Sequence, residues 1–464
     1  MSSSSRILPL VVASALFMEN MDSTVIATSL PAMAIDLHTS PVALKLAFTT
    51  YLLSLTVFLP ISAWVSDKFG AKLIFRIAIA VFTLSSLACG WAPSLPHLVM
   101  ARAVQGLGGA MMVPVGRIIL LRSIPKAELV NALAWLTVPA LVGPLVGPPI
   151  GGFITTYFSW HWIFWMNLPI GLLGLFMATV YMPEQPPMAV RKLDVLGFIL
   201  SGLGLSFTVF GMTVAGRDLL SPLETAGFVG VGLLLIYAYV VHAQKIDNPI
   251  LDLRLMKVET LRVSIVAGFF YRAAAGAIPF LLPLLLQLGF NATPFQSGLI
   301  TCSSAFGALV MKFLAARALR QFGYRQLLIL NGVLSCIFMA AIGLFTAATP
   351  LMVIYAVLII GGLARSLQFT ALNSIAYADI RNEDISRANG LYTVGQQFSL
   401  AMGVAIGAIV LEVSQSLRGA ASLGQPDFAA AFVLVAVAGL FALPSFMHLP
   451  RDAGAAMSGH RLST

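Results

Sequence analysis

The chain has 464 residues, of which 59% are hydrophobic and only 10% charged, and its mean hydropathy is +0.93. Soluble domains carry about 25% charged residues, so a string of water-soluble domains is excluded. The formal net charge of +9 raises the question of nucleic acid, but the basic residues are sorted by segment, which excludes that partner and reports a membrane orientation instead.

Apolar runs of about 20 residues alternate with short polar breaks along the whole chain, each long enough to cross a bilayer. In chain order the predicted spans are 7–33, 44–65, 73–91, 97–121, 129–154, 161–182, 194–214, 222–243, 260–288, 295–316, 326–347, 350–376, 387–411 and 428–448. The first holds Glu19 and Asp22 and reads as an uncleaved helix rather than a secretory leader. The longest inner connections are 183–194 and 244–259, and neither is large enough for a core of its own. With the N-terminus inside, the inner segments receive most basic residues, among them Lys68, Lys72, Arg122, Arg191, Arg254, Lys257, Arg320, Arg325, Arg387 and Arg451. The outer loops keep Lys45, Arg217 and Arg418. An even span count returns the C-terminus to the cytoplasm.

Cys89, Cys302 and Cys336 lie within apolar runs, and the six histidines show no metal spacing, so no metal site is expected. No phosphate-binding loop, nucleophile elbow or HExxH segment is present, and no enzyme is expected.

An internal repeat organises the spans. Asp67-Lys-Phe-Gly-Ala-Lys72 after span 2 matches Arg320-Gln-Phe-Gly-Tyr-Arg325 after span 10. Ala101-Arg102-Ala-Val-Gln105 in span 4 matches Ala364-Arg365-Ser-Leu-Gln368 in span 12. Span 5, with Thr137, Gly147 and Gly151, matches span 13, with Thr393, Gly403 and Gly407. Each feature recurs eight spans later, so two additional spans, 7 and 8, sit between two six-span halves. Parallel halves of this kind suggest alternating access around a midplane site.

Four segments carry the chemistry. In Ala63-Trp-Val-Ser-Asp67-Lys68-Phe69-Gly70-Ala71-Lys72, Gly70 permits a tight turn and Asp67 stands where a carboxylate can cap a neighbouring helix N-terminus. In span 1, Glu19 and Asp22 are three residues apart and share a helix face. Carboxylates at that depth are costly and mark a proton pathway. In span 4, Arg102 is long enough to reach Asp22 by depth, Gln105 lies one turn on, and Gly106, Gly108 and Gly109 allow close helix approach. If that contact forms in one conformation and breaks in the other, proton affinity switches with access. In span 5, Gly143-Pro144-x-x-Gly147-Pro148-x-x-Gly151-Gly152 sets glycine at every fourth position beside helix-bending prolines. The second half adds Tyr271, Arg272, Lys312 and Arg365 but no acid within its spans. These four, with Gln105, Trp135, Gln368 and Tyr392, are candidates for a substrate cavity, and Phe17, Tyr51, Phe164, Trp165, Phe369 and Phe398 add apolar surface.

Taken together, these segments resemble the major facilitator superfamily in its fourteen-span drug:proton antiporter branch, over nearly the whole chain. The loop resembles the pattern G-x-L-a-D-R-x-G-R-R/K, departing from it at Ala63, Lys68 and Ala71. Met21-Asp22-Ser-Thr24-Val-Ile-Ala-Thr-Ser-Leu-Pro31 resembles D-x-T-V-x-N-x-A-L-P, with Thr28 in place of Asn. Arg102-x-x-Gln105-Gly106-x-Gly108 resembles R-x-x-Q-G-x-G, and the span 5 stripe resembles the antiporter motif. The resemblance implies an all-α integral membrane protein of two six-helix bundles plus two central helices. Its expected divisions are 1–182, 183–259 and 260–464. It implies a bacterial inner-membrane antiporter, monomeric in lipid and driven by protons without a cofactor, that exports lipophilic or amphipathic molecules. Asp22, Glu19 and Arg102 would couple protons. Asp67, Gly70, Lys72 and the span 5 glycines and prolines would gate, Asp67 holding the halves together on the cytoplasmic side. An exporter of an anionic amphipathic metabolite is the alternative, ahead of a non-transporting membrane sensor.

Overall fold

The computed structural model describes residues 3–123, 126–184, 187, 192–214, 221–381, 384–420 and 422–458, with the side chains of 126–141 among those not described. Helices make up the described elements, and no strand occurs among the described residues. Twelve helices there are long and apolar enough to cross a membrane, against the fourteen expected. Two of the expected spans are not counted separately. The helix Lys126–Tyr157, 32 residues long, occupies the fifth expected span but has its first half among the side chains not described. The helix Pro294–Gly343 counts once, although Gly323 inside it has the non-helical angles φ 67, ψ 168.

The protein divides into two compact units. The first comprises Met1–Gly202 with Thr293–Gly298. Its helices are α1 (Ser3–Val25), a short α2 (Leu30–Asp36), α3 (Lys45–Phe58), α4 (Ser62–Phe69), α5 (Ala71–Gly90), α6 (Leu95–Ser123), α7 (Lys126–Tyr157), α8 (Trp162–Trp165) and α9 (Asn167–Tyr181). The first helix stops earlier than the expected 33 because Pro31 cannot continue it: a 3-10 turn spans Ile26–Thr28 and Pro31 opens α2. Gly70 separates α4 from α5 at φ 93, a conformation that favours glycine. Within the unit, α1 packs along α7, α5 along α6 and α9, and α3 along α6. Those contacts bring Asp22, Arg102 and Asn167 together.

The second unit comprises Leu203–Ala292 and Leu299–Thr464. Helix α10 (Val195–Val214) enters it at Leu203 and is followed by α11 (Pro222–Lys245), α12 (Glu259–Leu284), α13 (Pro294–Gly343), α14 (Leu351–Ile375), α15 (Ile385–Leu417), α16 (Gln425–Leu440), α17 (Leu443–His448) and α18 (Ala455–Ser458). A capping box starts α11: Ser221 Oγ accepts from Glu224 N at 3.2 Å, and the Glu224 carboxylate accepts from Ser221 N at 2.7 Å. Helices α10 and α11 meet at small residues, since a side chain at Gly232 would sit 2.4 Å from Thr208 Oγ1. The apolar stretch of α11 is only 17% buried, against 72% for Glu259–Gly289. Leu223, Leu234 and Tyr237 are among its exposed side chains, which suits contact with lipid. Helix α12 forms the core of this unit and packs along α15 and α16.

Candidate functional site

Asp22 and Arg102 are each 1% exposed. Arg102 Nη1 donates to Asp22 Oδ2 at 2.5 Å and to Gln105 Oε1 at 2.6 Å. Gln105 Nε2 and Asn167 Nδ2 both donate to Asp22 Oδ1, each at 2.9 Å. Asn167 Nδ2 also donates to Ser86 Oγ at 2.9 Å, whose hydroxyl donates to the Phe164 carbonyl. The Arg102 guanidinium lies 4.2 Å from the Tyr51 ring centroid. One carboxylate on α1 is thus held by an arginine and an amide from α6 and a second amide from the first turn of α9.

Desolvating two charges is costly, and their attraction offsets the cost only when the remaining polar atoms are paired. Here the pairing is extensive but incomplete: Arg102 Nε, Tyr51 OH and Asn167 Oδ1 are buried with no hydrogen-bond partner. Glu19, one turn before Asp22, leaves its buried Oε2 without a partner. A proton placed on Asp22 would turn the ion pair into a cation–neutral contact and loosen Arg102. Asp22 thus ties α1 to α6 and α9 through three side chains.

The second unit arranges its polar groups differently. Arg272, 0% exposed, donates through Nη1 to the Ser264 carbonyl at 2.9 Å and through Nη2 to the Tyr392 hydroxyl. That hydroxyl donates to Asn373 Oδ1. Arg365 Nη2 donates to Ser304 Oγ at 2.8 Å, and Lys312 Nζ to Thr370 Oγ1 at 3.1 Å. Tyr271 and Ser335 share a hydroxyl contact of 2.6 Å. Gln368 accepts from Asn331 Nδ2 at 2.9 Å and donates to the Leu328 carbonyl at 3.0 Å. Among the described residues no carboxylate pairs with Arg272, Lys312 or Arg365. Each of these cations is met by neutral oxygens.

The expected gating residues fall into two groups. The Asp67 carboxylate accepts from Arg122 Nη2 at 2.8 Å, so its recorded partner is a side chain at the end of α6 rather than a helix N-terminus. Lys72 pairs with Glu184 at 2.9 Å. On α7, a side chain at Gly143 would approach Met21 N at 3.2 Å, at Gly147 Thr24 Oγ1 at 2.1 Å, and at Gly151 the Val25 carbonyl at 2.5 Å. The four-residue spacing thus seats α7 against α1. Gly152 lies off that stripe, against the Pro294 carbonyl, and Pro148 offers its own carbonyl to Gly298. Pro144 belongs to the same helix, and Trp135 lies outside the residues whose side chains are described.

Several partners escaped the sequence reading, among them Asn167, Ser86, Asn331, Asn373 and Arg122. A lone amide inside an apolar run was the available signal for Asn167, Asn331 and Asn373, because such a group needs a partner in lipid. Gln105 and Gln368 are each 0% exposed and sit inside these networks instead of on an open wall.

A family model described as Major Facilitator Superfamily matches residues 12–243 and 264–458. The "Putative multidrug resistance protein MdtD" of Escherichia coli O6:H1 is 33% identical over 448 residues, covering 95% of this chain and 94% of the relative. The protein of the same name from Shigella sonnei is 34% identical over the same span and coverage. Among solved structures, a bacterial homolog of the human lysosomal transporter Spinster, inward-facing and unoccupied, aligns with TM-score 0.70 at 14% identity, covering 100% of this chain and 99% of that one. A D-xylose–proton symporter aligns with TM-score 0.69 at 15% identity, covering 97% and 98%. At those identities the structures report the fold alone.

Proposed function

The chain belongs to the major facilitator superfamily, and from that premise we propose that it is a proton-coupled antiporter exporting lipophilic or amphipathic small molecules. It is a multi-pass membrane transporter rather than an enzyme, homologous to multidrug resistance proteins. The observation that carries proton coupling is the buried Asp22–Arg102 pair, tied by Gln105 and Asn167 to three helices of the first unit. Protonation from outside releases Arg102 and lets the helices repack; deprotonation toward the cytoplasm restores the pair and resets the carrier. Glu19 extends the proton path along α1. The glycine stripe at Gly143, Gly147 and Gly151 keeps α7 close to α1 while the prolines beside it shape the helix.

In this reading the protein has fourteen spans, with Gly323 dividing α13 and α7 supplying the fifth. Residues 1–182 and 260–464 form the two six-helix bundles, and 183–259 carries the two additional helices. Both termini lie on the cytoplasmic face of a bacterial inner membrane. The carrier works as a monomer surrounded by lipid, and protons supply the drive in place of a cofactor. The test is transport in proteoliposomes: an imposed pH gradient should drive substrate movement in the wild type, and a protonophore should abolish it.

A second reading, export of an anionic amphipathic molecule, is favoured by Arg272, Lys312 and Arg365, which meet only neutral oxygens among the described residues.

A further inference from the structure

The repeated Ala-Arg-x-x-Gln segment is used in two opposite ways. In the first unit its arginine has a built-in counterion, since Arg102 holds Asp22 at 2.5 Å. In the second unit Arg365 donates one hydrogen bond, to Ser304 Oγ, and no carboxylate pairs with it among the described residues. The glutamines diverge in the same sense: Gln105 turns to Asp22, whereas Gln368 turns to Asn331 and the Leu328 carbonyl.

Helix packing identifies which residue of the second unit stands in the position of Asp22. A side chain at Gly147 would approach the Met21 carbonyl at 3.5 Å, and one at Gly151 the Val25 carbonyl at 2.5 Å. In the second unit a side chain at Gly403 would meet the Ala273 carbonyl at 2.0 Å, and one at Gly407 the Ala277 Cβ at 3.2 Å. The paired glycines of α7 and α15 thereby align Met21 with Ala273 and Val25 with Ala277. In that register Asp22 corresponds to Ala274, which is 1% exposed and uncharged. The second unit has the arginine without the acid.

Arg365 lines a cavity with Ser304 and Ser335 on its polar side and Ile278, Phe338 and Leu358 on its apolar side. Ser335 is itself engaged by the Tyr271 hydroxyl at 2.6 Å. The free volume is about 10 Å³, room for roughly one water. Helices α13 and α14 close it by crossing at glycines: a side chain at Gly307 would sit 2.1 Å from the Ile359 carbonyl, and one at Gly362 2.1 Å from the Ser304 carbonyl. Occupancy by a larger molecule therefore requires these helices to part, a motion of the kind alternating access supplies. A guanidinium offers five donors in a planar fork that matches a carboxylate, and among the described residues one of the five is used here. Arg365 is half-buried and has no carboxylate partner among the described residues, and a single arginine balances a single negative charge.

We propose that Arg365, Ser304 and Ser335 form a carboxylate-binding subsite for the head of a monoanionic amphipathic substrate, whose apolar tail packs on Ile278, Phe338 and Leu358. The ligand supplies the charge in the second unit that Asp22 supplies in the first. The proposal rests on the transporter reading above and names one substrate class for it.

The test is equilibrium binding of radiolabelled decanoate to the purified full-length protein in neutral-lipid nanodiscs, with no pH gradient. Decanol and chloride are the comparison probes. The wild type should bind decanoate saturably and more tightly than decanol, and chloride at equal concentration should not displace it. Arg365→Gln should weaken decanoate at least about tenfold and leave decanol unchanged. Ser304→Ala should weaken decanoate about threefold, and it carries the test alone if Arg365→Gln does not survive purification. Decanoate bound equally well by both variants, or no better than decanol by the wild type, overturns the proposal. Displacement by equimolar chloride overturns it in favour of a small-anion site. Because no proton gradient is present, a failure of proton-driven transport leaves this result untouched, and a failure here leaves proton coupling through Asp22 untouched.

Discussion

Asp22 and Arg102 face each other across 2.5 Å with both side chains all but sealed from solvent. Breaking such a pair from one side leaves an uncompensated buried charge, which costs about 3–5 kcal/mol. Asp22→Ala should therefore lower thermal stability in detergent sharply. The double variant Asp22→Ala with Arg102→Leu should recover much of that loss, because neither charge remains. Melting temperatures of the two proteins compare the outcomes directly; equal losses would mean that the pair adds nothing.

Asn167 is the third support of the same carboxylate, and it also holds Ser86. Asn167→Leu removes one donor to Asp22 and leaves a Ser86 contact unmade. The expected cost is about 1–3 kcal/mol in stability, with a larger effect on proton-driven transport than on substrate binding. Transport measured with and without a pH gradient separates the two. Loss of binding with unchanged coupling would assign Asn167 to substrate instead.

Much of this site was legible in the sequence. Glu19, Asp22 and Arg102 stand out because charges inside apolar runs are costly and rare, and the Asp22–Arg102 contact was reachable from helix depth alone. The repeat gave the glycine register, since Gly70 and Gly323 both adopt positive φ. Asn167 was hidden because a single amide near a helix start carries no spacing signal. Asp67 was expected at a helix N-terminus, but its recorded partner Arg122 lies 55 residues further along the chain. A separation of that kind is set by how α4 and α6 pack and leaves no trace in local pattern. The first expected span reaches 33, whereas α1 ends at Val25, because a 3-10 turn at Ile26–Thr28 and Pro31 at the start of α2 interrupt it.

The α1–α7 contact predicts graded effects along its stripe. At Gly151 an added methyl would meet the Val25 backbone carbonyl at 2.5 Å, which cannot move without shifting α1. At Gly147 it would meet the Thr24 side-chain hydroxyl, which can rotate. Gly151→Ala should impair transport more than Gly147→Ala, with overpacking costing about 1–3 kcal/mol. Initial transport rates at matched expression would show the order; a reversed order would place the tighter contact elsewhere.

Asp67 and Arg122 are each 29% exposed, so their pair contributes little to stability, about 0–1 kcal/mol. Asp67→Ala should leave the melting temperature nearly unchanged and still slow turnover, if this loop gates. Arg122→Ala should match it, since both remove the same contact. Substrate affinity should change less than rate. Unaltered turnover in both variants would remove the pair from the gating mechanism.

In the proposed mechanism Asp22 is the group that exchanges protons. Its most direct test is reconstitution of wild type and Asp22→Asn in liposomes, following the efflux of a lipophilic monovalent dye such as ethidium under an imposed pH gradient. Dye binding is measured in parallel. The wild type should move dye in response to the gradient, while Asp22→Asn should fold, bind dye and fail to respond. Undiminished gradient-driven transport by Asp22→Asn would contradict the account.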